Sequence, residues 1–332
     1  MKISKINRAV LSITNKCNLK CIHCYNSVQR KTDVKCVFTE AFFKDLKNIG
    51  CEQIGLSGGE PLLEYPLLKQ LLGLTRQYKF NTILTTNGTL LTDSVLSELQ
   101  ALGVDIFQIS LDGHDEQTHD ILRGKGSAAK MWRLITGGIN RDYRIVPVQV
   151  IHKLNYQFLP EFLRLLIDNG FATVGFERFI PSGSGQEHLN LCLSANELKK
   201  AYDTLLEFEG KIKIHVNDPV YTAYKLIRKG VSSQLTEFLA TQYDFGCTAY
   251  RSSVVVDSNG DVRSCTFSPK VLFSLSDMPI GAVIPIFDEN KKIALTGKCG
   301  KCVLQNMCKG CRAYAELCGV DWNAEDPLCF IQ

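Results

Sequence analysis

Short apolar runs alternate along this chain with amphipathic segments of helical length. Such runs predict buried strands where turn residues bound them. Six runs predict strands: Arg8–Thr14, Gln53–Ser57, Asn81–Thr86, Val104–Leu111, Arg144–His152 and Ala172–Phe179. Between the strands, capping residues and apolar stripes predict helices: from Thr39 to Gly50, from Pro66 onward, from Thr92 to Leu102, from Pro160 to Asn169, from the Ser194–Glu197 capping box, and from Val220 to Lys229.

This rhythm of strand and helix predicts parallel βαβ units in an α/β fold. An open doubly wound sheet and an incomplete (β/α) barrel both satisfy the pattern. In a parallel barrel the active site lies at the carboxyl ends of the strands. The residues expected around that mouth are Cys17, Gly58, Asn87, Ser110, His152 and Glu177.

Three cysteines follow the first strand closely, in the stretch Cys17-Asn-Leu-Lys-Cys21-Ile-His-Cys24. One loop with this spacing can hold one face of a [4Fe–4S] cluster, whose fourth iron then stays open to a small molecule. The pair Cys21 and Cys24 also has a zinc spacing, so half of a zinc knuckle is the alternative from these residues alone.

The C-x3-C-x2-C pattern behind a first strand resembles the radical S-adenosylmethionine (radical SAM) enzymes. The resemblance implies a partial (β/α)6 TIM-like barrel, with Cys17, Cys21 and Cys24 as catalytic cluster ligands and SAM chelated at the open iron. An electron from the cluster would then cleave SAM to a 5'-deoxyadenosyl radical. The chain departs from the family at His23, where an aromatic residue is usual; we expect this ring to pack on the loop.

Further segments resemble those with which the family binds SAM. Gly58-Gly59-Glu60-Pro61 resembles the segment that holds the SAM amino group, since two glycines permit a close approach and a carboxylate can accept from an ammonium. Asn87, Ser110 and Asp112 match segments that contact the methionine or ribose of SAM, although Asn-Gly and Asp-Gly are also common turns. Arg123 matches a position that holds the SAM carboxylate; a surface salt bridge is the alternative.

The composition is ordinary except for fourteen cysteines. The formal charge of +4 is spread along the chain, which argues against nucleic acid as a partner. No signal peptide or membrane span is evident, so we expect a cytoplasmic protein whose clustered cysteines bind metal. Cys36, Cys51 and Cys192 stand apart and are expected to be small buried hydrophobes.

Eight cysteines fall within the C-terminal region, enough for two tetrathiolate sites: Cys247, Cys265, Cys299, Cys302, Cys308, Cys311, Cys318 and Cys329. Zinc could satisfy the same count. The region resembles the SPASM domain, which binds two auxiliary [4Fe–4S] clusters, and its segment 251–265 fits a hairpin with an Asn-Gly turn. The resemblance implies an outer set of four cysteines, Cys299, Cys302, Cys308 and Cys329, and an inner set of three, Cys247, Cys265 and Cys311. Either Cys318 or a substrate group would complete the inner set.

The predicted organisation is a radical SAM core barrel over residues 1–215, a bridge over 216–240 and a small cysteine-rich α+β SPASM domain over 241–332. SPASM-bearing relatives mostly modify peptides, which implies a ribosomally made peptide as substrate, undergoing cross-linking or another modification. The alternative is a tetrapyrrole, with a porphyrin side chain as the target in haem biosynthesis. Further expected partners are an external one-electron reductant of flavodoxin or ferredoxin type and a separate leader-peptide-binding protein, because the chain begins directly at the barrel.

Overall fold

In this computed structural model the described residues form one sheet of ten strands. The structure describes residues 5–27, 37–137, 142–232, 235, 247–290 and 294–331. The strands are β1 Arg8–Thr14, β2 Gln53–Gly58, β3 Asn81–Thr86, β4 Ile106–Ser110, β5 Ile145–Ile151, β6 Thr173–Arg178, β7 Lys213–Val216, β8 Ser253–Val256, β9 Asp261–Arg263 and β10 Phe273–Ser274. Their order across the sheet is β10-β9-β8-β1-β2-β3-β4-β5-β6-β7.

Every pair from β8 through β1 to β7 is parallel, while β8, β9 and β10 pair antiparallel. The six strands predicted from the apolar runs therefore lie side by side in chain order. Between β1 and β7 the sheet has the arrangement of an incomplete barrel, with β7 at one end. Its carboxyl ends converge on the edge where the first cysteines lie.

Helices follow most of these strands and cover the sheet. The longer ones are α1 Glu40–Asn48, α2 Tyr65–Gln77, α3 Asp93–Leu102, α4 Glu116–Arg123, α5 Ser127–Thr136, α6 Leu159–Asp168, α7 Ala195–Phe208, α8 Pro219–Arg228 and α9 Val283–Asn290; two short ones, α10 Gly297–Lys301 and α11 Arg312–Leu317, lie near the C-terminal cysteines. Local signals explain several starts: Thr39 accepts from the N–H of Phe42, and Ser194 forms the predicted capping box with Glu197. The helices bury apolar stripes against the sheet, as Leu68, Leu71 and Leu72 do in α2.

Two features of the sheet were not predicted. Strand β7 adds a seventh parallel strand next to β6, ending at Val216. The C-terminal hairpin does form between β8 and β9, as predicted for 251–265, but β8 also pairs with β1 over Arg8 to Leu11. The hairpin of the cysteine-rich region thus belongs to the same sheet as the barrel, while the domain limits at 215 and 240 remain a prediction.

Candidate active site at the sheet mouth and the C-terminal cysteines

The first cysteine loop lies directly behind β1 and is tied to the end of α4. The N–H of Ile22 donates to the carbonyl of Leu122 at 2.9 Å, and the Cys21 sulfur lies 4.0 Å from the carbonyl of Arg123. Cys21 is buried, whereas Cys17 and Cys24 are half-buried. Burial raises the pKa of the Cys21 thiol to about 11, because a thiolate there loses its hydration. A positively charged metal centre would stabilise the Cys21 thiolate in place of the lost hydration.

The Gly58-Gly59-Glu60-Pro61 segment is joined to the start of this loop by backbone hydrogen bonds. The N–H of Gly59 donates to Thr14 and that of Glu60 to Lys16, each at 2.7 Å. Gly58 has a φ of +136°, and a Cβ added at Gly59 would lie 2.0 Å from the Lys16 carbonyl oxygen. Glycine is required here because the two backbones touch.

The Glu60 carboxylate braces this segment against the end of β3. It is fully buried and accepts from Thr86 Oγ1 at 2.8 Å, from the N–H of Asn87 at 2.8 Å and from the N–H of Leu62 at 3.1 Å. Burial raises its pKa, although these donors oppose the rise. Because three donors already occupy this carboxylate, the backbone of Gly58 and Gly59 is the better candidate for holding an ammonium group.

Asn87 connects the same strand end to the cysteine loop. Its side-chain nitrogen donates to Asn18 Oδ1 at 2.8 Å and lies 3.9 Å from the Cys17 sulfur. Its oxygen accepts from the N–H of Thr89 at 2.9 Å. Ser110, half-buried at the end of β4, is the next strand-end residue of the predicted set.

Asp112 is the centre of a buried charge cluster beneath the loop. Its Oδ2 accepts from Arg123 Nε at 2.5 Å and lies 3.3 Å from His23 Nε2; its Oδ1 accepts from the N–H of Val150 at 2.8 Å. Burial opposes ionisation, but the Arg123 charge, His23 and His119 together hold the pKa of Asp112 well below its usual range. The structure thus pairs Asp112 and Arg123 with each other, in a buried ion pair and not the surface salt bridge considered above.

Three buried histidines surround this carboxylate: His23, His119 and His152. His119 Nδ1 accepts from the N–H of Asp112 at 3.2 Å. Burial lowers the pKa of each ring to about 4, so all three are neutral near pH 7. His119 was missed in the sequence, where only its position one turn before Arg123 on an amphipathic segment could have indicated it.

The C-terminal cysteines of the inner set meet in one cavity. Cys247, Cys265 and Cys311, together with Cys308, line one pocket, whose empty space of about 650 Å³ includes solvent at its mouth. Burial raises the pKa of Cys247 to about 12 and that of the other three thiols above the usual range. Buried thiols at this density fit a site for a metal cluster, which would hold them as thiolates.

The outer set gathers beside this cavity. The thiol of Cys329 interacts with Cys299 and Cys302, and that of Cys308 interacts with Cys329. A nitrogen of the buried Arg312 guanidinium lies 4.0 Å from the Cys299 sulfur. Cys308 thus neighbours thiols of both sets, and the division of the ligands between two sets stays a prediction.

Backbone N–H groups point at four of the predicted ligand sulfurs. In each case the donor is the amide two residues later, at 3.4 Å: Leu19 to Cys17, Phe267 to Cys265, Leu304 to Cys302 and Gly310 to Cys308. Such bonds stabilise thiolates and tune a cluster. Cys51 differs, since it is buried and its sulfur lies 3.3 Å from the carbonyl of Gln53, which is the geometry of a donating thiol.

Cys318 lies apart from the inner set. It is exposed, and its thiol interacts with the Tyr314 hydroxyl, which also interacts with Cys192. Cys192 is half-buried among apolar residues, and Cys36 lies outside the described residues. The position of Cys318 gives no support to its role as the fourth inner ligand.

Comparison with known proteins identifies a domain in the first half of the chain. Residues 11–146 match the family model described as the radical SAM superfamily, a range that contains the first cysteine loop, the glycine segment and Arg123. Residues 11–146 of this chain are therefore a radical SAM domain. Radical SAM enzymes use a [4Fe–4S] cluster and S-adenosylmethionine, and the residues at this mouth fit such a cluster.

Several characterised proteins are similar to this chain over nearly its whole length. An AdoMet-dependent heme synthase of Methanosarcina barkeri is 26% identical, with 96% of this chain and 94% of that protein covered. Mycofactocin maturase MftC of Mycobacterium tuberculosis is 27% identical over 96% of this chain and 81% of that protein. The crystal structure of Streptococcus suis SuiB bound to precursor peptide SuiA covers 99% of this chain and 76% of that chain, with a TM-score of 0.80 and 18% identity.

These findings confirm the predicted α/β fold of radical SAM type, followed by a cysteine-rich C-terminal region. None of the described helices is long and apolar enough to cross a membrane. The sequence missed the helices α4 and α5, although Asp115 caps α4 by accepting from the N–H of Thr118 at 2.7 Å.

Proposed function

We propose that this radical SAM enzyme binds its catalytic cluster through Cys17, Cys21 and Cys24 and modifies a ribosomally made peptide. When bound, the cluster supplies one electron for the cleavage of SAM to methionine and a 5'-deoxyadenosyl radical, which takes a hydrogen atom from the substrate. The observation that carries the proposal is the cysteine loop braced between Gly59, Asn87 and Asp112 at the strand ends.

The chain's own residues would perform three tasks at this site. The backbone of Gly58 and Gly59 would hold SAM beside the loop, with Asn87 and Ser110 as further polar contacts. Glu60, buried and fully engaged, would keep the glycine segment in place. Asp112 and Arg123 would position the loop from beneath, so their contribution to SAM binding would be indirect.

The auxiliary centres form the second part of the proposal. The outer set, Cys299, Cys302, Cys308 and Cys329, and the inner set, Cys247, Cys265 and Cys311, would each hold a [4Fe–4S] cluster. The support for clusters over zinc is the resemblance of this region to the SPASM domain, since SPASM-type relatives carry auxiliary clusters.

A peptide substrate is supported by the similarity in fold to SuiB, whose structure was solved with a precursor peptide. The second candidate is a tetrapyrrole, which the similarity to an AdoMet-dependent heme synthase favours. We further propose a cytoplasmic location, because thiolate-held clusters persist in reducing compartments. A flavodoxin- or ferredoxin-type reductant and a separate leader-peptide-binding protein complete the proposed partners.

The first experiment measures iron, sulfide and zinc after anaerobic reconstitution, together with dithionite-dependent 5'-deoxyadenosine formation from SAM. We expect about twelve irons per chain and deoxyadenosine in the parent protein, with deoxyadenosine reduced to background in Cys21→Ser. Cys51→Ser is the matched control, because burial raises the pKa of both thiols to about 11 but Cys51 lies outside the loop. An iron-loaded parent that leaves SAM intact would refute the proposed activity, and zinc in the C-terminal region would refute the auxiliary clusters.

The substrate class is tested separately. An iron porphyrin is titrated into the reconstituted protein and its absorbance followed, and candidate peptides are incubated with SAM and reductant and analysed by mass spectrometry. Loss of hydrogen atoms from a peptide, without porphyrin binding, is the expected result. Tight porphyrin binding with unmodified peptides would favour the tetrapyrrole candidate.

A further inference from the structure

Arg178, the last residue of β6, is buried between two carboxylates. Its Nε lies 2.8 Å from Asp218 Oδ2, and its Nη2 donates to Asp326 Oδ2 at 2.6 Å. The exposed fraction of each of these three side chains is 2% or less. The guanidinium carbon also lies 4.8 Å from the centre of the Tyr314 ring.

The two carboxylates come from different parts of the chain. Asp218 caps α8 by accepting from the N–H of Val220 at 2.7 Å. Asp326 lies near the C-terminus and accepts from the N–H of Leu328 at 3.0 Å. Arg178 therefore joins the end of a barrel strand to α8 and to the C-terminal segment.

This cluster reaches one of the inner cysteines directly. The same Oδ2 of Asp326 that binds Arg178 also accepts from the N–H of Cys311 at 2.8 Å. Asp326 therefore lies between the Arg178 guanidinium and the backbone of Cys311. The buried Asp326 carboxylate thus contacts the predicted ligand Cys311, and the buried Arg178 guanidinium contacts that carboxylate.

Buried charges and hydrogen bonds to ligand sulfurs set the reduction potential of iron–sulfur clusters. Their effect is large here because the surroundings exclude water. Asp326 is paired as a carboxylate with the Arg178 guanidinium, whose Nη2 lies 2.6 Å from Asp326 Oδ2. The opposing charges of Arg178 and Asp326 must therefore act on a centre at Cys311 with opposite signs.

We propose that Arg178 and Asp326 are positioning residues for the auxiliary centre at Cys311: they fix this ligand against the end of β6 and set the reduction potential of the centre. The inference rests on the proposed function, because it requires an auxiliary cluster in the inner set. Neither Arg178 nor Asp326 is a predicted cluster ligand. Their ion pair connects the end of a barrel strand to the cysteine-rich region.

The test uses the full chain with Cys17, Cys21 and Cys24 replaced by alanine, so that only auxiliary centres remain. After anaerobic reconstitution, midpoint potentials are measured by redox titration with electron paramagnetic resonance. Arg178→Met should lower the potential of one centre, because a charge that favours the reduced state is lost. Asp326→Asn should raise it, and Arg178→Lys should stay close to the parent.

Arg228→Met is the matched control, since it removes the same charge from the far end of α8, where Arg228 pairs with Asp203 at 3.1 Å near the surface. We expect no shift in this variant. Shifts of the same sign in Arg178→Met and Asp326→Asn, or shifts no larger than the control's, would overturn the inference. If Arg178→Met does not fold, a raised potential in Asp326→Asn with no shift in Arg178→Lys still supports the inference, whereas a lowered or unchanged potential in Asp326→Asn overturns it. A parent without auxiliary iron–sulfur centres would instead overturn the cluster assignment on which the inference rests.

Discussion

Replacing Asp112 by asparagine tests whether this carboxylate holds the first cysteine loop. The carboxylate accepts from Arg123 and from the N–H of Val150 through different oxygens. An asparagine can present its single oxygen to only one of them and must turn its N–H2 group toward the other donor. In either orientation the buried Arg123 charge loses its counter-ion.

Removing one partner of a buried ion pair costs about 3–5 kcal/mol, which is a large share of the about 5–15 kcal/mol that stabilises a typical protein. We expect Asp112→Asn to lower the free energy of unfolding of the metal-free protein by about 3 kcal/mol or more. The assay is urea denaturation followed by circular dichroism. Iron bound at the first loop should fall as well, because His23 loses the same partner.

Asp115→Asn is the control, since it makes the same change three residues away. Asp115 is half exposed and caps α4, a position where asparagine and aspartate are equivalent. If Asp112→Asn unfolds at the same urea concentration as this control, Asp112 does not support the loop.

The pH dependence gives a second check on the same residue. Because the folded state holds the pKa of Asp112 below its unfolded value of about 3.9, its contribution is complete above that value and is lost as the pH falls toward the folded pKa. The difference between the parent and Asp112→Asn should therefore stay constant from pH 7 to about pH 5 and shrink below about pH 4. A difference that grows on acidification would contradict the assigned charge state.

Two further substitutions test local features. Gly59→Ala places a Cβ 2.0 Å from the Lys16 carbonyl oxygen, so it should lower the free energy of unfolding by about 1–3 kcal/mol and reduce the iron bound at the first loop. Gly73→Ala, on an open face of α2, is the control and should be neutral or stabilising. Equal effects of the two substitutions in denaturation and iron assays would exclude the clash. Ser194→Ala removes the capping box with Glu197 and should lower the free energy of unfolding by about 1 kcal/mol. The rate of 5'-deoxyadenosine formation should not change. A loss of this activity without a loss of stability would show that the start of α7 has another role.

Most of the barrel could be predicted because its signals are local. Thr39 and Ser194 cap their helices where the sequence placed the caps, and β1 and β3 have the predicted bounds. The cysteine spacing and the glycine segment indicated the family from a few adjacent residues. The structure then brought Gly59 and Asn87 against the loop, as their positions at strand ends implied.

The sequence by itself thus determined the order of strands and helices, the first cysteine loop and the presence of a radical SAM domain, because capping, periodicity and ligand spacing act over a few residues. Only the tertiary structure decided which buried charges meet. Glu60 and Arg123 are engaged by internal partners, and β8 pairs with β1 across more than two hundred residues of chain. Arg178 finds Asp326 in the same way. Such pairs form because burial requires every charge and backbone group to find a partner, and no local pattern specifies which one it will be.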